Sequence, residues 1–398
     1  MDEALACAVL ASAAGVGPAT LTRLLATFGS GRATLALAAG SNARSRLVGV
    51  LGPDGGPVAD ALIAAVSEAE SRAAAIGRAG VTVLLASDPE YPAALRGTRD
   101  PPPVLFVRGD RAVLSATNTL AIVGTRRPTE TGRRIAGRIA TAVATLDGVV
   151  VSGLAVGIDG AAHAAAVTAG GRTIAVLGGG HDELYPRAHR RLAAEIAEHG
   201  GAVVSETPPW VRPAAWSFPQ RNRIISGLSA ATIVVEAGHG SGALITARAA
   251  LQQGRDVFVV PGPLDTPTSA GCLALLREAP DAVRVVAGVP ELLVDLGLVS
   301  DGPRSRPDSG RAALAEAGPV EREVGTLVAA GVGTVDALVA ATELPVATVL
   351  AAITMLETRG LVVDALGRYR PAGGLLGTPR PARRPRHAPS GRAPPVPW

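Results

Sequence analysis

Residues 120–159 read LAIVGTRRPTETGRRIAGRIATAVATLDGVVVSGLAVGID. The apolar run 120–123 stops at Gly124-Thr125-Arg126-Arg127-Pro128, and residues 131–146 then repeat apolar positions at helical spacing. A second apolar run, 149–151, stops at Ser152-Gly153-Leu154-Ala155-Val156-Gly157-Ile158-Asp159. Neither apolar run alternates with polar residues, so each predicts a strand buried on both faces. Two such strands joined by a helix are a parallel pair with a crossover connection.

The same alternation extends outward over residues 76–298. Further apolar runs lie at 81–85, 104–107, 173–177, 202–204, 232–235 and 257–260, with helical segments at 161–169, 188–198 and 244–253. The expected class is α/β, a Rossmann-like doubly wound, mostly parallel sheet. Residues 1–75 read as short helices forming a small N-terminal helical domain, of helix-hairpin-helix or SAM-like type. There Gly15-Val16-Gly17-Pro18 leads into a helix at 19–28. Residues 299–318 read as a linker. Residues 319–371 carry helical patterns at 320–330, 335–340 and 346–359, then short strands at 361–364 and 368–370, the proportions of a C-terminal winged-helix domain. Residues 372–398, rich in Pro and Arg and free of acids, read as a disordered basic tail.

Composition narrows the function. The 398 residues carry a formal charge of +4, and every basic residue is an arginine, since the sequence contains no lysine. Each cationic contact is therefore a planar guanidinium able to hold phosphate through two parallel hydrogen bonds. The missing lysine also excludes a P-loop, and no cofactor signature is present. Cys7 and Cys272 stand far apart without metal spacing, as in a reducing, cytoplasmic setting. Met1-Asp2-Glu3 lacks the basic start of a signal peptide, and no uninterrupted apolar run reaches membrane length.

Ligands of a doubly wound sheet bind beyond the carboxyl ends of its strands. Those ends here carry Gly124, Thr125 and Arg126; Ser152 and Gly153; Gly178-Gly179-Gly180-His181 followed by Tyr185-Pro186-Arg187; Ser205-Glu206 followed by Phe218-Pro219-Gln220-Arg221-Asn222-Arg223; and Glu236-Ala237-Gly238 with Gly240-Ser241-Gly242. Glycine lets backbone N–H groups converge on an oxyanion, and helix N-termini near Asp159 and Leu244 add positive dipole ends. Arg126, Arg187, Arg221 and Arg223 would add full charges. Asp159 reads as a helix cap, and His163 as a packed, hydrogen-bonded histidine rather than a base. Trp210, Trp216 and Phe218 either stack on bases or fold as a lid on themselves.

Seven segments in fixed order resemble the DprA (Smf) family of DNA-processing proteins. They are AIVGTRRPTETG (121–132), VVSGLAVGIDGAAHAAAV (150–167), TIAVLGGGHDELYPRAHRRLAAEI (173–196), SETPP (205–209), FPQRNRIISGLS (218–229), VVEAGHGSGALITARAALQQGRDVFVVPGP (234–263) and SAGCLALLREA (269–279). The resemblance implies a DNA-binding Rossmann-like domain over 76–298 without catalytic turnover. Strand phosphates would be held by Gly124, Thr125, Arg126, Ser152, Gly153, Arg187, Arg221, Asn222, Arg223, Ser241 and Gly242. Thr125 stands where the family usually has serine, and Arg187 where it usually has lysine. The resemblance further implies sequence-independent binding of single-stranded DNA, a homodimer, and loading of RecA in recombination or natural transformation.

Two other readings carry weight. Residues 236–242, Glu-Ala-Gly-His-Gly-Ser-Gly, echo a nucleotide phosphoribohydrolase loop, but no spaced acid–base pair accompanies it; Asp182, Glu183 and Glu206 are the available acids. A duplex-DNA regulator would read through the winged helix, yet that region offers Arg359 against Asp336, Glu343 and Glu357.

Overall fold

The computed structural model describes residues 1–299, 314, 317–364 and 369–371. Most of the expected linker and all of the expected basic tail lie outside the described residues. The chain divides into two compact units, Met1–Ser300 and Asp301–Trp398.

The first unit is built on a nine-stranded sheet: β1 (Thr82–Leu85), β2 (Val104–Gly109), β3 (Thr119–Val123), β4 (Val149–Ser152), β5 (Thr173–Val176), β6 (Ala202–Ser205), β7 (Ala231–Val234), β8 (Asp256–Val259) and β9 (Val283–Val285). Their order across the sheet is β1-β2-β6-β5-β4-β3-β7-β8-β9. All pairs from β6 to β9 are parallel, whereas β2 runs antiparallel to both β1 and β6. β3 to β7 are buried along their whole length, which explains their unbroken apolar sequence.

N-terminal to the sheet lie α1 (Glu3–Ala11), α2 (Pro18–Phe28), α3 (Gly31–Ala38), α4 (Ala43–Leu51), α5 (Gly56–Ser67) and α6 (Ala69–Arg78). Gly17 caps α2 and Pro18 takes its first position, where a missing N–H costs nothing. These helices share a core with Leu85, Val104 and Phe106, while Leu84, Leu105 and Val107 point into the core under the sheet. The alternation of β1 and β2 thus serves two cores.

Crossover helices cover both faces. α7 (Ala93–Arg96), α11 (Ser217–Gly227), α12 (Gly242–Gln252) and α13 (Ala270–Glu278) pack on one face; α8 (Glu130–Thr145), α9 (Ile158–Thr168) and α14 (Val289–Asp295) pack on the other. α10 (Arg190–Glu198) closes a smaller core over β5 and β6. α8 shows why these segments are helical. Thr129 caps it by accepting the Gly132 N–H, Ala136, Ile139, Ala140 and Val143 form its buried stripe, and its arginines stay outside.

α11 differs from the sequence reading, which treated 218–223 as part of a strand-end loop. Its helical face is hidden because buried polar residues, Arg221 and Asn222, stand where apolar ones signal a core. Pro219 in its first turn was the available clue.

The second unit contains α15 (Pro319–Ala329), α16 (Val335–Thr342) and α17 (Val346–Thr358), then an antiparallel hairpin of β10 (Val362–Asp364) and β11 (Tyr369–Pro371). Val324, Val328, Leu338, Val349, Ile353 and Leu356 fill its core, and the arrangement is the expected winged helix. α17 carries no arginine, and Val346, Leu350 and Met355 are exposed on it. No single helix among the described residues is long and apolar enough to cross a membrane.

Candidate nucleic-acid interface

From β3 the chain winds outward through β4, β5 and β6, then returns to lay β7 on the other side of β3. The connections after β3 and β7 therefore leave in opposite directions and open a crevice at the carboxyl edge, the position where open α/β sheets bind ligands. A cavity of about 870 Å³ occupies that crevice. Its walls are the β3–α8 loop from Gly124 to Arg127, the β7–α12 loop and first turn from Gly238 to Thr246, and a side formed by Tyr185, Pro213, Phe218, Arg221 and Asn222.

Of the residues expected to hold phosphate, Gly124, Thr125, Arg126, Arg221, Asn222, Ser241 and Gly242 line this cavity together. Gly153 lines a smaller pocket that also touches Arg126 and Arg221. Ser152, Arg187 and Arg223 line neither. The Ser152 hydroxyl is fully buried and donates to the Ile122 carbonyl at 2.6 Å. Arg187 is exposed in the short turn before α10, two residues beyond the cavity-lining Tyr185. Arg223 holds both oxygens of Glu206 at 2.6 and 2.7 Å.

The cationic side chains thus divide into two kinds. Arg126 is exposed, and its guanidinium carbon stands 5.4 Å from the centre of the Phe218 ring. Arg221 is buried. Its Nη1 donates to the Gly153 carbonyl at 2.8 Å and to the Val176 carbonyl, and its Nε donates to Asn222 Oδ1 at 3.1 Å. Burial pushes its pKa down to about 10, against the support of neighbouring Asp159. Arg221 and Arg223 were both expected to supply free charge; the fold instead commits Nε and Nη1 of Arg221 and Nη2 of Arg223 to internal oxygens.

Asp159 also departs from expectation. Gly157, not Asp159, is the N-cap of α9, and no side chain caps that end. The Asp159 carboxylate instead accepts the Gly153 N–H at 3.1 Å beneath the cavity. Burial raises its pKa, opposed by Arg221 and by the N–H groups of Ala155 and Gly153. His163 is the packed histidine the sequence suggested: fully buried, its Nδ1 donates to Thr173 Oγ1 at 2.7 Å, and burial lowers its pKa to about 3.

The N-terminus of α12 faces the cavity through Ser241, Gly242 and Ala243, so its positive dipole end is turned toward it. The Ser241 hydroxyl caps the helix by accepting the Ala243 N–H at 3.4 Å. Asn222 Nδ2 donates to the Gly242 carbonyl at 3.0 Å and ties α11 to this turn. Aromatic surface lies beside the arginine: Phe218 and Tyr185 meet at 5.8 Å with ring planes 59° apart. Tyr185 is 55% exposed and Trp216 71%, whereas Trp210 packs against the N-terminal helices.

Glu236 is the contributor the sequence reading misplaced. Its carboxylate turns away from the cavity onto the start of α8, accepting the Thr129 N–H at 2.9 Å and the Thr129 hydroxyl at 2.5 Å. Its main-chain oxygen accepts the Thr125 N–H at 2.7 Å. One residue from the β7 end thereby grips both ends of the β3–α8 loop that carries Arg126. The anion-binding end of α8 is filled by the protein's own carboxylate. Among the described residues no group of His, Cys, Asp and Glu is arranged to hold a metal ion.

Residues 82–293 match the profile of DNA recombination-mediator protein A, and residues 308–368 match the DprA winged helix domain. The DNA processing protein DprA of Bacillus subtilis is 45% identical over 210 residues, covering 53% of this chain and 70% of that protein. Protein Smf of Escherichia coli is 48% identical over 196 residues, covering 49% of this chain and 52% of its own length. The X-ray structure of DprA from Streptococcus pneumoniae superposes with a TM-score of 0.52 at 33% identity, covering 66% of this chain and 95% of that one. The chain belongs to the DNA recombination-mediator protein A family.

Proposed function

We propose that the protein binds single-stranded DNA in the switch-point cavity without regard to base sequence and delivers the strand to RecA. Strand delivery, rather than turnover of a substrate, is its task, and it acts as a cytoplasmic homodimer. The observation that carries this reading is Arg126, an exposed guanidinium beside an aromatic ring in one cavity with the N-terminus of α12. A phosphodiester fits the guanidinium and the α12 terminus, and a base fits the Phe218 face. Neither contact reads a base edge, so affinity comes from charge and stacking. The relatives' names, DNA processing protein and recombination mediator, support the same reading.

The test is a mobility shift with unrelated single-stranded oligonucleotides at moderate salt. Arg126→Ala should weaken binding to all of them by about 10-fold or more, the value of a charge-assisted hydrogen bond. Unchanged affinity would overturn the assignment of the cavity.

The phosphoribohydrolase reading finds less support, since Glu206, one of its available acids, is paired with Arg223. Glu236 is spent on Thr129, and the carboxylate that does line the cavity, Asp159, is buried against Arg221.

A further inference from the structure

We infer that the bound strand leaves the cavity over α8 and that Arg127, Arg133, Arg134 and Arg138 form a second, outer phosphate track. This rests on the cavity being a single-strand site and extends that site across one face of the molecule.

All four residues are exposed. None of their side chains meets a carboxylate or donates a hydrogen bond among the described residues, and the acid nearest in sequence, Glu130, pairs with none of them. Some surface arginines elsewhere have carboxylate partners, as in Arg172–Asp147 and Arg248–Glu278, and others, such as Arg23, Arg46 and Arg277, stand singly; the α8 arginines differ in being gathered on one short stretch. The placement also runs against the needs of the helix. Arg133 and Arg134 lie near the N-terminus, where the helix dipole disfavours cations. Arg134 and Arg138 form a like-charged i,i+4 pair. Four guanidiniums gathered within twelve residues beside the cavity, set against local helix energetics and with Glu130 the single acid among them, indicate a partner outside the fold, and their charge indicates a polyanion.

Continuity fixes which polyanion. Arg126 and Arg127 line the cavity, Thr129 caps α8, and Arg134 and Arg138 follow one turn apart on its outer face, about 6 Å along the axis. That is a ladder of positive charge beginning at the mouth of the cavity and descending the helix. A strand held at Arg126 meets these residues next.

The experiment uses the full-length protein and an Arg134→Gln, Arg138→Gln variant, both surface changes that leave the α8 core intact. Binding is titrated over a salt series with an oligonucleotide of about four nucleotides, short enough for the cavity, one of about 20, and a blunt duplex of the longer length. The inference expects unchanged affinity for the short strand. For the long strand it expects weaker binding, with a log–log salt slope shallower by about 1.4, the release of two counterion equivalents. An unchanged slope on the long strand overturns the track. Equal weakening of short and long strands overturns it too, because the effect is then a general field. A loss confined to duplex overturns the assignment to a single strand. Wild-type protein that binds neither strand overturns the cavity reading itself, and the track with it.

Discussion

An arginine's task in this protein depends on which oxygen reaches it first. Arg126 finds none among the described residues and is the one the proposed function assigns to a ligand; Arg221 finds Gly153 and Val176, and Arg223 finds Glu206. Glu236 decides where Arg126 stands, since its carboxylate and carbonyl hold Thr129 and Thr125 on either side of it. Glu236 is therefore a positioning residue, and a double-mutant cycle separates that role from a structural one. Glu236→Ala should weaken single-strand binding in the wild-type background yet have little further effect once Arg126 is alanine. Glu236→Gln, which can still accept the Thr129 N–H, should restore most of the binding. Additive losses in the cycle would reduce Glu236 to a helix cap.

At the scale of elements, the turn into α9 controls the loop across from it. Gly157 takes φ +92°, and a Cβ there would run into the Thr125 carbonyl oxygen and the Arg126 main chain. The neighbouring Ile158 N–H donates to that same carbonyl at 3.3 Å. Leu154, at φ +56°, has its carbonyl held by His189 Nδ1 at 2.8 Å. Gly157→Ala adds one methyl group at a left-handed position and pushes on the loop carrying Arg126. It should cost about 1–3 kcal/mol of stability, read from urea unfolding. It should also lower single-strand affinity under conditions where the variant remains folded. A stable variant with normal binding would show that the β3–α8 loop does not depend on α9.

At the scale of the whole molecule, two buried imidazoles tie the first unit's stability to pH. Burial lowers His163 to about 3 and His181 to about 4 from an ordinary value of 6.5. Unfolding frees both to protonate, so their contribution is complete above pH 6.5 and is lost as pH falls towards 4 and 3. Asp159 and Glu206, raised by burial, act in the opposite sense. Comparison with His181→Gln cancels them. Between pH 6 and 5 the variant's stability should fall less steeply than wild type by up to one proton, about 1.4 kcal/mol per pH unit. Urea midpoints across that range read the difference, and parallel curves would contradict it. The sequence by itself determined the sheet strands except the short edge strand β9, most of the crossover helices and the gathering of small and basic residues at one sheet edge. Those follow from local periodicity, and parallel strands bring all their carboxyl ends to the same side. Only the tertiary structure decided which arginines are paired internally and that the Glu236 carboxylate turns onto the start of α8. Glu236 meets Thr129 across 107 residues and Arg221 meets Gly153 across 68. A hydrogen bond depends on distances set by the finished fold, and no spacing along the chain encodes it.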